Sequence, residues 1–203
     1  FGVYLLSQVC YSVFRIEHVH GHHRRVATPE DPASAPKGMN IYKFIPQAII
    51  GVFHSAYKIE NKRLRKTSGI NKFLAHRFFH YALLSLLWIS YSFLLFGTKG
   101  LFIFLIQSLV AIILLETIDY IEHYGLRRQL LPSGKYAPVN DSHSWDTNFH
   151  FTNTTLFNLG KHAHHHQNAS VPYQKLSSSP GANNYPFGYS FAIILALIPP
   201  LWF

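Results

Sequence analysis

The chain has 203 residues, of which 48% are hydrophobic, 16% aromatic and only 13% charged, about half the quarter expected of a soluble domain. A single cysteine, Cys10, rules out an intrachain disulfide, a four-cysteine iron site and a fused iron–sulfur module, and no Gly-x-Gly-x-x-Gly run or P-loop supports a bound dinucleotide or ATP. The formal net charge of +9 has its carriers beside apolar runs, which argues for a membrane surface and against nucleic acid.

In chain order, residues 1–16 open inside an apolar run with no basic region before it, so they read as the last turns of a span in an internal fragment, not as a signal peptide. Next comes Glu17-His18-Val19-His20-Gly21-His22-His23. A spacing of four puts His18 and His22 on one helix face, with His23 about 100° further round. Residues 29–38, with Pro29, Pro32, Pro36 and Gly38, form a loop. Residues 44–57 are apolar but short, with Pro46 near their start, which suits a helix in the membrane interface.

Two long apolar stretches follow, 72–96 and 101–118, separated only by Gly97-Thr98-Lys99-Gly100. They predict an antiparallel transmembrane hairpin over 73–118 that returns the chain to the side it left. Lys58, Lys62, Arg63, Arg65, Lys66, Lys72 and Arg77 precede it, Arg127 and Arg128 follow it, and the turn offers Lys99 alone. The positive-inside rule then makes both flanks cytoplasmic. All three histidine clusters consequently fall on one predicted face: the first, then Glu122-His123-Tyr124-Gly125, then His162-Ala163-His164-His165-His166.

Glu116 and Asp119 precede His123 by seven and four residues and stack on its helical face, where a carboxylate can orient an imidazole or bind a metal. A solvated helix end would equally account for Asp119 and Glu122, but not for Glu116, which lies deeper. A polar loop over 127–148 holds His143, which reads equally as a packing residue or an outer partner of the site. His162, His165 and His166 repeat the helical pattern of the first cluster, whereas His20 and His164 fall outside it. His54, His76 and His80 are isolated on apolar helices and read as packing residues. Residues 187–203 are apolar but interrupted by Pro199-Pro200, which predicts a packed or interfacial helix.

Seven or more converging imidazoles exceed the three or four that one zinc takes, and two metals are the simplest account. A single His run could be a surface zinc scavenger, but three clusters on one face do not fit that reading. The fold expected is an all-α integral membrane protein, a helical bundle forming one membrane-embedded domain over 1–203, with a cytoplasm-facing, histidine-rich dimetal site.

The segment from Glu17 to Ser34 resembles the second histidine box of membrane alkane monooxygenases, within the membrane desaturase and hydroxylase superfamily. Asp119-Tyr120-Ile121-Glu122-His123-Tyr124-Gly125-Leu126 is similar to that family's single-histidine motif, and His162-x-x-His165-His166 followed by Tyr173-Gln174-Lys175-Leu176 to its last box. The resemblance implies a non-haem di-iron enzyme of the bacterial inner membrane. It would hydroxylate the terminal methyl of medium-chain n-alkanes with O2, using electrons from NADH passed through rubredoxin reductase and rubredoxin. It carries over as ligands His18, His22, His23, His123, His162, His165 and His166, and leaves Glu116, Asp119 and Glu122 as outer carboxylates. Asp119 stands where the family commonly has Asn, and His164 where it often has Asp. The family's upstream His-Glu-x-x-His box is absent, so the chain by itself is expected to lack two ligands.

The basic excess reads as anchoring to anionic lipid or as a dock for an acidic carrier near Arg24, Arg25, Lys62, Arg63, Arg65 and Lys161. A desaturase, or a fatty-acid or xylene hydroxylase, would use a similar site. A zinc-binding or metal-transporting protein is the reading from another class, although a transporter would place its ligands near the bilayer middle.

Overall fold

The computed structural model describes residues 2–202. The chain divides into two compact units, one of residues 1–22 and 49–115, the other of 23–48 and 116–203. The helices are α1 (Gly2–Ser7), α2 (Phe14–Glu17), a π-helical turn (His18–His22), α3 (His23–Arg25), α4 (Ile41–Arg63), α5 (Gly69–Leu74), α6 (Arg77–His123), α7 (His150–Thr155), α8 (His162–Gln167), α9 (Tyr189–Ala196) and α10 (Pro199–Trp202). Short 3₁₀ turns at Asp141–His143 and Tyr173–Lys175 and one parallel pair of two-residue strands, β1 (Trp145–Asp146) and β2 (Asn183–Asn184), complete the described elements.

In the first unit, Tyr11, Val13, Ile16, Val52 and Ala56 form the core, flanked by Phe78, Tyr81, Ile112 and Leu115. Helix α6 is interrupted at Gly97, whose φ of 62° and ψ of −156° are not helical. Phe78 and Tyr81 precede the break and Ile112 and Leu115 follow it, yet all four pack on one cluster, so the two arms lie side by side. Ser92 Oγ donates to the Gly100 carbonyl at 2.9 Å across the turn. Four residues were expected to make the connection, but only Gly97 leaves helical geometry. At Gly100 a Cβ would come within 2.3 Å of the Phe96 Cβ. The φ/ψ of Gly97 is one that only glycine adopts without strain, so Gly97→Ala is expected to cost about 1–3 kcal/mol, read as a lower unfolding temperature in detergent.

Helix α6 is long and apolar enough to cross a membrane, and its most apolar stretch is largely unburied. Leu83, Leu94, Phe102 and Ile103 are all more than half exposed, the pattern of a surface that meets lipid rather than water. The first arm is anchored by Trp88 Nε1 donating to Ser7 Oγ at 3.0 Å, the second by Gln107 Nε2 donating to the Gln8 carbonyl at 2.8 Å.

Residues 2–16 are not one helical run. Helix α1 ends in a left-handed turn in which Cys10 has φ 55° and the Tyr11 N–H bonds back to the Leu6 carbonyl at 2.8 Å. This is the Schellman end, with cysteine in the position glycine usually takes. Helix α4 outruns its expected 44–57 span at both ends. The buried positions Ile41, Phe44, Ala48, Val52, Ala56 and Glu60 fall three or four apart, which continues one stripe through the polar end.

Glu60 closes that stripe with its side chain fully buried. It accepts from Arg63 Nη2 at 2.7 Å and from Arg77 Nη2 at 2.6 Å, with further bonds from both Nε atoms and from the Arg77 N–H. His76 is buried beside it, stacked on Tyr57 at 5.5 Å and against Phe79 at 4.7 Å. Its role there is packing. An apolar hollow of about 380 Å³ in this unit is lined by Val13, Phe53, Phe78, Tyr81, Leu86 and Ile89, among others.

In the second unit, Ile41, Phe44, Ala48, Tyr120, Ile121, Tyr189, Ala192 and Ala196 form the core. Three tyrosine hydroxyls tie loops to it: Tyr120 donates to the Met39 carbonyl, Tyr185 to Ile121 and Tyr189 to Trp145. The proline-rich loop is held from within by Asp31, which accepts from Ser34 Oγ at 2.5 Å, and by the Ala27 N–H donating to Ser34 Oγ at 2.8 Å. The C-terminal segment folds as α9 and α10, broken before Pro199, with Tyr189, Ala192 and Ala196 buried.

Candidate metal centre

His123 is the last residue of α6, buried in the second unit. Its Nδ1 lies 3.0 Å from the His143 carbonyl oxygen. A carbonyl only accepts, so Nδ1 carries the proton and Nε2 presents its lone pair inward. His143, left open between packing and site partner, therefore acts through its backbone. Its own ring accepts the Asn140 N–H at 3.0 Å, and burial, then nearby Arg128, push its pKa down.

Helix α8 supplies the facing imidazoles. His162 and His166 are buried one turn apart. His162 Nε2 lies 3.1 Å from His123 Nε2, 2.9 Å from His166 Nε2 and 3.2 Å from Glu122 Oε2. A ring nitrogen carries at most one hydrogen, so it can satisfy at most one of these three neighbours. A cation among them satisfies all. Imidazole nitrogens about 2.1 Å from a shared ion lie about 3.0–3.4 Å from one another, which matches the separations of 2.9 and 3.1 Å. The donor set fits a metal ion, and imidazoles suit iron, zinc, copper or nickel.

His165 turns away from this group toward His23, with ring centroids 4.8 Å apart, and His23 is 4.7 Å from His166. The ligating atoms of His123, His162 and His166 lie within 4.8 Å of one another, as do those of His23 and His165. The last box thus divides between two groups. In the first unit, His18 and His22 stack at 5.1 Å on the π turn, with Phe14 5.0 Å from His18. The turn between them is π rather than the expected α, a form that recurs at functional sites. His164 is outside both groups, accepting the Ser177 N–H at 2.9 Å.

The carboxylates are not a solvated helix end. Glu116, Asp119 and Glu122 are all at most 3% exposed. Glu122 meets an imidazole of the group, at His162. Seven of the nine acidic residues in the chain are buried: Glu17, Asp31, Glu60, Glu116, Asp119, Glu122 and Asp146. The acids lie inside, which leaves the basic residues to set the charge of the surface.

Glu17 and Asp146 are not among the site residues expected from the sequence. Glu17 accepts from Ser55 Oγ at 3.2 Å within the first unit. Asp146 Oδ1 accepts the Ala163 N–H at 2.8 Å. Burial pushes the Asp146 carboxyl up to about 6, against the opposing pull of the Ala163 N–H and Lys161. The signal available was scarcity: the chain has only nine acids, so each one is a candidate.

The sequence model of the fatty acid desaturase family matches residues 1–178. The chain is 45% identical over 202 residues to alkane 1-monooxygenase 1 of Pseudomonas aeruginosa, covering 99% of this chain and 53% of that protein. It is 42% identical to alkane 1-monooxygenase 2 of the same organism, with the same coverage, and 40% identical over 201 residues to alkane 1-monooxygenase 2 of Alcanivorax borkumensis, again 99% and 53%. The chain spans about half the length of the curated relatives it matches. With a family match that takes in every histidine cluster, the chain belongs to the fatty acid desaturase family.

Proposed function

We propose that the chain forms part of a membrane-bound, non-haem di-iron monooxygenase that converts medium-chain n-alkanes to primary alcohols with O2 and electrons from rubredoxin. The observation that carries this reading is the convergence of His123, His162 and His166 on one point, in a chain similar along almost its whole length to alkane 1-monooxygenases. His18, His22, His23, His123, His162, His165 and His166 form its share of the ligand set. Bound iron would supply the activation of O2. The residues around it hold the lone pairs inward: the His143 carbonyl fixes the His123 tautomer, and Glu122 balances charge at His162.

An alkane offers no polar group, so its binding rests on apolar surface, such as the hollow lined by Phe53, Phe78 and Leu86. The two arms of α6 cross the bacterial inner membrane within a multi-span bundle and leave the histidines on the cytoplasmic side, where Lys and Arg concentrate on the flanks. There an acidic carrier such as rubredoxin meets a positive surface. The family match favours one second reading, desaturation or hydroxylation of a fatty acyl chain.

The full-length protein that carries this chain, membrane-extracted and given octane, rubredoxin, its reductase, NADH and O2, is expected to form 1-octanol, with about two irons per molecule by elemental analysis. An alkene, or turnover of fatty acids alone, would favour the second reading. Zinc in place of iron would overturn both.

A further inference from the structure

Asp146 reaches the helix that carries His162 and His166 through that helix's backbone. It is 1% exposed, and its Oδ1 takes the Ala163 N–H at 2.8 Å, with the His162 backbone N–H also acting on the carboxylate. Helix α8 has six residues, and Lys161 at its N-cap gives no side-chain cap. The first N–H groups of a helix have no partner within it. Here they are taken by a side chain from a strand that is itself pinned. Asp146 pairs with Asn184, its carbonyl accepts the Tyr185 N–H at 2.9 Å, and the next residue, Thr147, donates to the Gly160 carbonyl at 2.9 Å.

The same stretch holds His123. The 3₁₀ turn Asp141–His143, capped by Asn140, presents the His143 carbonyl to His123 Nδ1 at 3.0 Å. A strap of residues 140–146 thus grips the end of α6 at one point and the start of α8 at another. Imidazoles must meet within a few tenths of an ångström to share an ion, and α8 is too short to fix its own direction.

We propose that Asp146 is a positioning residue of the metal centre, setting the entry of α8 so that His162 and His166 face His123. The inference rests on the metal-centre reading above. Its test uses Co²⁺ as the probe, whose visible spectrum reports ligand number and geometry, on membrane-extracted wild type, Asp146→Ala, Asp146→Asn and His123→Ala. Asp146→Ala is expected to weaken Co²⁺ binding by about 10- to 100-fold, as loss of a ligand-orienting partner does, with a changed spectrum. Its metal-free form should unfold cooperatively near the wild-type temperature. Asp146→Asn, whose amide oxygen still accepts the Ala163 N–H, should restore most of the affinity.

Wild-type binding and spectrum in Asp146→Ala alongside weakened binding in His123→Ala would overturn the proposal and leave the metal centre standing. So would a metal-free Asp146→Ala that does not unfold cooperatively, or an Asp146→Asn as impaired as the alanine variant, since these would assign Asp146 to folding or to charge. Unchanged binding in His123→Ala would overturn the metal-centre reading itself.

Discussion

On the proposed function, replacing His162 with alanine in the full-length protein is expected to remove about one iron per molecule and reduce hydroxylation by well over the roughly 10- to 100-fold that loss of an outer partner costs. His162 is singled out because its Nε2 is the shared neighbour of His123, His166 and Glu122, at 3.1, 2.9 and 3.2 Å. Without it the remaining buried imidazoles and carboxylate face a hole lined by lone pairs. His164→Ala, two residues on, removes only a ring that accepts from Ser177 and should keep both iron and turnover. Iron analysis and octane turnover on the two variants side by side make the comparison. Equal iron in both would remove His162 from the ligand set.

The second large effect concerns stability. Glu60→Gln keeps the volume of the buried carboxylate but leaves Arg63 and Arg77 facing a neutral amide. Removing one partner of a fully buried pair costs about 3–5 kcal/mol. Here the arginines are 40% and 31% exposed and can take up water, so about 2 kcal/mol is expected. Burial pushes the Glu60 carboxyl up, but hydrogen bonds from Arg63 and Arg77 outweigh it and bring it from an ordinary 4.5 to about 2. A carboxyl lowered on folding stabilises above its unfolded value and loses that contribution as pH falls through the folded one. The gap in unfolding temperature between wild type and Glu60→Gln should therefore hold from neutral pH to about 5 and close between 4.5 and 2. A gap that widens toward acid would contradict the ion pairing.

What the sequence made legible depended on whether the determining contact was local. The break in α6 could be read because glycine at 97 and at 100 leaves a mark in the very residues that turn. The grouping of His162 with His166 could be read because four residues make one helical turn. The π turn could not, since the spacing of His18 and His22 places them close together on either kind of helix. The departure of His165 toward His23 depends on a residue over 140 positions away. Asp146 was illegible for a related reason: it bonds to a backbone N–H, and a backbone group leaves no trace in the identity of Ala163. The Schellman end at Cys10 was hidden because the residue there is not the glycine that such turns favour. Glu122 was ambiguous because a polar residue at a helix end looks the same whether water or His162 lies beyond it.

A π turn holds one residue more than the α turn it replaces, so the stretch from His18 to His23 has room to lose one residue but none to gain one. Deleting Val19 or His20 would restore the narrower winding and leave all that follows nearly in phase, with His22 still close to His18 and Phe14, whereas one inserted residue would swing all that follows by about a quarter turn. Substitutions within the box can be absorbed one side chain at a time and a deletion by the turn itself, whereas a single-codon insertion rotates His22 and His23 together. In a collection of natural or randomised variants, the spacing from His18 to His23 should therefore not lengthen, while the letters between the ligands drift.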